Sequence, residues 1–264
     1  MQERKRIAVA GATGRVGRHT VQVLEEAGHD VVPMSRSTGV NVVTGEGLSE
    51  ALVGVDCIVD AASWPTAEQE PATEFFVAAA RNLQEVGQRA GVQRIVMVSI
   101  IGADQFSKGY IASKIPHEET MQSGPIPVRI LRAAQFHEFM PLTLEWARQG
   151  DVMYVPHMRT QPVAARTVAE ALADLANGSG PAPENTIPEI AGPREESLVD
   201  LARLLVARRG DSVRIEVVSD PDDSELALYA SGALLPGADA ILAGPAFEQW
   251  LDSTTQAAGS RHGR

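Results

Sequence analysis

The chain has 264 residues, 44% hydrophobic and 22% charged, enough for one sizeable α/β core with a small second lobe. Its 34 acidic and 23 basic side chains leave a formal charge of -11, a surface that repels polyanions and argues against nucleic acid or an anionic membrane as partner. The single cysteine, Cys57, excludes an internal disulfide and a multi-thiolate zinc cluster and fits a reducing cytoplasm, and no run approaches the roughly 20 apolar residues of a membrane span.

In chain order, apolar bursts rich in Val and Ile fall at 7–10, 30–34, 41–43, 57–61, 94–98 and 127–131. Helices are predicted from just after Gly14 to Ala27, where Gly28 stops the first; over 73–90, where Gly91 stops the second; and from Tyr110 to just before Gly124 and Pro125. This alternation specifies βαβ units. The predicted fold is therefore α/β, a Rossmann-like doubly wound parallel sheet with helices on both faces. Beyond Leu131 the rhythm is broken by Pro141, Pro156, Pro162, Pro181, Pro183, Pro188 and Pro193. Helices are still predicted at 142–149, 166–177 and 198–209, with short strands at 152–155, 186–190 and 213–218. The expected division is a sheet-forming core over 1–132, an interleaved C-terminal portion over 133–252 that shapes a substrate pocket, and a polar, disordered tail over 253–264. The stretch 178–183 reads as a loop and 219–224 as an acidic turn.

Gly11-Ala12-Thr13-Gly14-Arg15-Val16-Gly17 follows the first strand and opens the first helix. The first glycine permits a tight turn, the second lets backbone approach a pyrophosphate, and the third allows the helix to pack close to the strand. Backbone N–H groups and the positive helix end then hold a diphosphate. After the second strand, an acidic residue would accept from a ribose 2'-hydroxyl. This chain has Ser35 and Arg36 there, a hydroxyl and a charged fork suited to a 2'-phosphate, with Arg15 approaching from the other side. NADP(H) is the expected cofactor, in preference to NAD(H).

Tyr110 and Lys114 are four residues apart on a predicted helix, which puts both on one face. An ammonium beside a phenol is expected to lower the phenol pKa toward neutrality and make it a proton donor or acceptor, and Lys114 also reaches for the nicotinamide ribose. Ser99 lies just past the end of its strand, where open α/β sheets place their chemistry, and its hydroxyl is suited to orient a substrate carbonyl.

With the glycine turn, Ser99, Tyr110 and Lys114 make the chain resemble the short-chain dehydrogenase/reductase superfamily over its first 140 or so residues, in the atypical branch of NmrA-like proteins and NAD(P)H-binding reductases. Asp60-Ala61-Ala62-Ser63, Arg81-Asn82-Leu83 and Leu131-Arg132-Ala133-Ala134-Gln135-Phe136 carry the finer likeness. The resemblance implies that Ala61, Ala62 and Ser63 line the adenosine and ribose, and that Ala134, Gln135 and Phe136 line the nicotinamide and substrate. It implies an NADP(H)-dependent oxidoreductase of a carbonyl or quinone-like small molecule. A cofactor-sensing regulator without turnover and a nucleotide-sugar epimerase or dehydratase are the alternatives. Three departures stand out: Asp60-Ala61-Ala62-Ser63 replaces the usual NAG-type phrase, Asn82 comes too late in its helix to complete a catalytic tetrad, and the acidic residue that often follows strand three is displaced, the chain reading Thr44-Gly45-Glu46-Gly47.

Beyond this constellation, His137 either lines a substrate pocket, where it exchanges protons, or begins an amphipathic helix with Phe136 and Phe139 in the core, and Trp64 either roofs the cofactor cleft or packs beneath the second lobe. Cys57 is expected to be an inert core thiol and Asp220, Asp222 and Asp223 a solvated turn. No histidine pairs with His137 at helical spacing to bind a metal. The partners expected are a small-molecule substrate and at most a second copy of the chain, as monomer or homodimer.

Overall fold

The computed structural model describes residues 4–178, 187–220 and 222–261. The chain divides into two compact units, Met1–Arg132 with Val168–Pro188, and Ala133–Thr167 with Glu189–Arg264. The first is built from β1 (Arg6–Ala10), α1 (Gly17–Glu26), β2 (Asp30–Met34), α2 (Leu48–Ala51), β3 (Cys57–Asp60), α3 (Gln69–Ala90), β4 (Arg94–Ile100), α4 (Gly109–Ala112), α5 (Lys114–Gln122) and β5 (Val128–Ala133). Its strands run in the order β5-β4-β3-β1-β2, a Rossmann-like α/β arrangement.

Helices cover both faces of this sheet, so its central strands read as unbroken apolar runs: Ile7 to Ala10 and all of β3 are buried. Ala10 pairs in register with Met34 and with Asp60, and Asp60 with Met97, so these residues mark the carboxyl edge of the sheet. The chain leaves β1 to form β2 on one side and returns to form β3 on the other. That reversal opens a crevice between the ends of β1 and β3, where open α/β sheets bind their ligands.

The long helix α3 buries a stripe that includes Ala72, Phe76, Ala79, Ala80 and Leu83 and packs against α5. Gln84, buried in that stripe, donates to the carbonyls of Met121 and Ile126 and accepts from the Ile126 N–H, clasping the turn between α5 and β5.

The structure departs from the sequence expectation in several elements. Residues 41–43 form no strand: the Asn82 amide donates to the carbonyls of Val42 and Val43, and the Asn41 side chain accepts from Val43 N–H. Val40 and Val42 are buried, so their apolar signal marks a core-facing loop. The Tyr110 and Lys114 helix is two pieces with a break at Ser113, because Pro116 has no N–H to offer the Ala112 carbonyl.

The remaining elements are α6 (Met140–Trp146), β6 (Arg148–Gln149), β7 (Val152–Pro156), β8 (Arg159–Thr160), α7 (Ala165–Asn177), β9 (Glu189–Ala191), β10 (Glu196–Ser197), α8 (Leu198–Arg209), β11 (Arg214–Val218), α9 (Ser224–Ser231), β12 (Ile241–Leu242) and α10 (Phe247–Arg261). From Val168 onward α7 belongs to the first unit, although the sequence division assigned it to the C-terminal portion. In the second unit β11, β7 and β6 form a three-stranded sheet, β10 pairs with β8, and β12 pairs with β9. The acidic turn is the cap of a helix the pattern did not announce: the Asp223 carboxylate accepts from the N–H groups of Glu225 and Leu226 at the start of α9. Helix α10 runs through Arg261, where a disordered tail was expected from 253; composition marks that stretch as polar, and polarity alone does not oppose a helix once Phe247 anchors its first turn in the core. Of the expected loop at 178–183, residues 179–183 lie outside the described residues, as do Thr186 of the strand expected at 186–190 and residues 262–264.

Candidate functional site

The glycine turn sits at the crevice with each glycine in a distinct place. Gly11 has φ +73°, and a Cβ there would lie 2.6 Å from the Ala61 carbonyl oxygen, so the turn after β1 presses on the chain leaving β3. A Cβ on Gly17 would lie 2.1 Å from the Gly11 oxygen, which only glycine allows at the start of α1. A Cβ on Gly14 would meet only that same oxygen, at 3.0 Å, and its outer face is open. Thr13, Gly14 and Arg15 are exposed, while Ala12, Val16 and Gly17 are buried. No side chain caps α1 and no acidic residue lies in its first turn, so its positive end is left for an external anion. These residues fit a dinucleotide diphosphate.

Beyond β2, Arg36 opens a single 3-10 turn, Arg36–Thr38, that Ser35 and Thr38 cap reciprocally. Arg36 is exposed, with its guanidinium carbon 5.9 Å from the centre of the Trp64 ring, and Trp64 stacks on Phe75 at 5.6 Å. Trp64 thus lies beside the predicted 2'-phosphate residue, 37% exposed. The Ser35 hydroxyl is 2.8 Å from that of Ser37.

The predicted Ser99, Tyr110 and Lys114 are arranged otherwise than their spacing suggests. The Tyr110 hydroxyl is 3.1 Å from the hydroxyl of Ser63. Ser99 is 2% exposed, and its Oγ has no hydrogen-bond partner among the described residues. Lys114 is 4% exposed; its ammonium donates to His117 Nδ1 at 2.9 Å and lies 4.0 Å from the centre of the Phe76 ring. His117 in turn donates from Nε2 to Asp60 at 3.1 Å, and the other Asp60 oxygen accepts from the Ala62 N–H. Phe76 stacks on His117 at 4.6 Å and meets the edge of Tyr110 at 5.7 Å. Behind this group Glu118 accepts two hydrogen bonds from Arg132, which also reaches Asp104.

These contacts set the charges. Burial pushes Asp60 upward, but the His117 hydrogen bond and its other partners outweigh this and hold the carboxyl below its ordinary range. Burial and the neighbouring ammonium lower His117, which therefore stays neutral with its proton on Nε2. Burial brings Lys114 down to about 8. Burial also raises the Tyr110 phenol; the Ser63 hydrogen bond opposes this and the Asp60 charge adds to it. The expected lowering of the phenol by Lys114 is thus reversed, because the lysine is turned into the buried chain toward His117 and Asp60.

Ala134, Gln135, Phe136 and His137 begin the second unit and are used by its framework. Ala134 N–H donates to the Ile190 carbonyl, Thr160 donates to the Gln135 side chain, and Phe136 bridges to Val163. His137 is fully buried against Phe247 and Trp250, with Nε2 donating to the Pro245 carbonyl, so it lines no open pocket; the histidine is the core residue of this turn, whereas Phe136 and Phe139, expected in the core, are half-buried. Cys57 is buried in β3 with its thiol pushed up to about 12, an inert group at neutral pH. Among the described residues no group of three or more His, Cys, Asp or Glu is placed to hold a metal, and no helix is long and apolar enough to cross a membrane.

Fold and glycine turn together define an NAD(P)-binding Rossmann protein with an oxidoreductase- or epimerase-type fold. The chain belongs to the NAD(P)H-binding family, whose model matches residues 11–177. It is similar to the photosystem II assembly factor Ycf39 of Synechocystis, with 25% identity over 238 residues that cover 81% of this chain and 70% of that protein. It is 34% identical over 103 residues to the L-arabinose 1-dehydrogenase (NAD(P)(+)) of Haloferax volcanii, covering 36% of this chain and 40% of that one. Among solved structures, the NADPH-dependent quinone oxidoreductase QOR2 of Escherichia coli, complexed with NADPH, matches with a TM-score of 0.72 and 19% identity, over 94% of this chain and 99% of that chain. The UDP-N-acetylglucosamine 4-epimerase of Bacillus cereus matches at 0.68 and 17% identity, over 96% of each chain. A short-chain dehydrogenase/reductase superfamily protein of Agrobacterium tumefaciens with bound NAD matches at 0.66 and 17%, over 97% of this chain and 98% of that chain. The family shown is the NAD(P)H-binding one, and the likeness to the solved short-chain structure is one of fold.

Proposed function

We propose that the protein is an NADP(H)-dependent reductase of a small carbonyl or quinone-like substrate, with Tyr110 as proton donor. The observation that carries this reading is the continuity of the crevice floor: Gly11 presses on Ala61, and two residues further on Ser63 is hydrogen-bonded to the Tyr110 phenol. Diphosphate turn and phenol thus belong to one short stretch of chain. The bound dinucleotide supplies the hydride. Gly14 and the start of α1 bind the diphosphate, and Arg36, with Ser35 beside it, favours a 2'-phosphate over a bare ribose. Tyr110 donates its hydroxyl proton to the substrate oxygen, and Lys114 keeps a positive charge near the site below its pKa of about 8. A single buried thiol accords with a cytoplasmic setting.

The test is a panel of carbonyls and quinones with NADPH. Tyr110→Phe is expected to abolish turnover and leave NADPH binding within about twofold of the parent, whereas turnover at the parent rate would remove the phenol from the reaction. Likeness to an assembly factor favours a second reading, a regulator that binds cofactor without chemistry. Tight NADPH binding with no turnover across the panel would favour it.

A further inference from the structure

We propose that Ser63, rather than Ser99, is the hydroxyl that works with Tyr110, so that the reacting pair of this site is Ser63 and Tyr110. The inference deepens the reductase reading and rests on it for the chemical step alone.

Three observations carry it. The Tyr110 oxygen is within hydrogen-bond distance of Ser63 Oγ, at 3.1 Å. Ser63 is exposed and follows the Ala61-Ala62 pair on which the glycine turn rests, so its hydroxyl opens on the crevice. Ser99 is closed off at 2% exposure, with no hydrogen-bond partner for its hydroxyl among the described residues, and a substrate oxygen has no access to it without repacking β4. The phenol ring is held independently: its edge meets Phe76, and Phe76 is fixed by the stacked His117 ring and the Lys114 ammonium. Ring position and oxygen partner are therefore both determined. The charged group that acts on this phenol is Asp60 at the end of β3, and Lys114 on α5 reaches Asp60 through His117.

The step balances as follows. A bound reduced dinucleotide would supply the hydride to the carbonyl carbon; as the C=O π electrons pass to oxygen, that oxygen takes the Tyr110 proton to become a hydroxyl. The phenolate that remains accepts the Ser63 O–H proton as Ser63 takes one from water. One solvent proton is consumed per turnover, and both side chains end as they began. Burial disfavours the phenolate, and the Ser63 bond is the contact that offsets it.

The pairing is tested first in the apo protein, without turnover. The protein is labelled with carbon-13 tyrosine, and the Tyr110 ζ-carbon signal is identified by its loss in Tyr110→Phe. Ser63→Ala is expected to shift this signal and lower the acid dissociation constant of Tyr110 about tenfold, the loss of one hydrogen bond to a charged oxygen. Ser63→Thr, which keeps the hydroxyl, restores it, and Ser99→Ala leaves it in place. An unshifted Tyr110 signal in Ser63→Ala, or a shift of the same size in Ser99→Ala, overturns the proposal. With an NADPH-linked carbonyl assay, Ser63→Ala lowers kcat roughly 10- to 100-fold with little change in KM; unchanged kcat overturns the catalytic role. If the apo coupling is present while the parent reduces no carbonyl or quinone, the pairing is supported and the reductase reading is the part that fails.

Discussion

Lys114, His117 and Asp60 form a buried chain in which a neutral imidazole separates an ammonium from a carboxylate. Removing the middle member leaves two charges without their bridging hydrogen bonds, so His117→Phe is expected to cost about 3 kcal/mol in urea unfolding. A loss under about 0.5 kcal/mol would mean that the chain does not hold the fold. Burial also keeps His29 and His137 below their ordinary value, as it does His117. Below about pH 6.5 the unfolded chain therefore takes up protons that the folded chain refuses, and stability falls with pH by up to about 1.4 kcal/mol per unit for each histidine. His117→Gln should make that acid limb shallower by one proton. Lys114 acts at the other end: between about 8 and 10.5 the unfolded lysine still holds a proton that the folded one has lost, so its contribution to stability rises with pH across that window. At the crevice rim, Arg36→Asp replaces the guanidinium by a group that repels a 2'-phosphate and accepts from a ribose hydroxyl. Calorimetry should show NADPH binding weakened at least about tenfold and NADH gaining relative to it; an unchanged preference would remove Arg36 from the site.

At the scale of elements, the glycine turn and the Asn82 clasp carry the next expectations. Gly17→Ala forces a Cβ to within 2.1 Å of the Gly11 oxygen, so α1 must lift from the turn. A loss of about 2 to 3 kcal/mol in thermal unfolding and of most NADPH affinity is expected. Asn82→Ala removes two hydrogen bonds to the 41–43 loop and should cost about 1 to 3 kcal/mol. The same elements show what a local pattern can tell. Strands buried on both faces were legible because their apolar runs are continuous, as in β1 and β3, and Gly28 and Gly91 ended their helices as read, at φ +86° and +81°. The apolar 41–43 segment misled because burial of Val40 and Val42 serves a loop as well as a strand. Tyr110 and Lys114 were found by spacing, but their partners were not. Ser63 lies 47 residues from Tyr110, and Asp60 lies 57 from His117, separations that no local periodicity encodes. His117 left one usable signal, its place three residues past Lys114.

At the scale of the molecule, the first unit contains the glycine turn, Arg36, Trp64, Ser63, Tyr110 and the buried chain, all within residues 11–118 and inside the span of the family match. The second unit was the less legible half, because its short strands and proline-broken connections carry little periodicity. There His137 proved to be a core residue hydrogen-bonded to Pro245. The residues to which the proposed function gives cofactor choice, Ser35 and Arg36, lie in the first unit. The account thus stands most directly on one measurement: separate calorimetric titrations of NADPH and NADH into the apo protein. It predicts tight NADPH binding with NADH at least about tenfold weaker. Equal affinity would contradict the role given to Ser35 and Arg36, and binding of neither would contradict the reading of the glycine turn as a dinucleotide site.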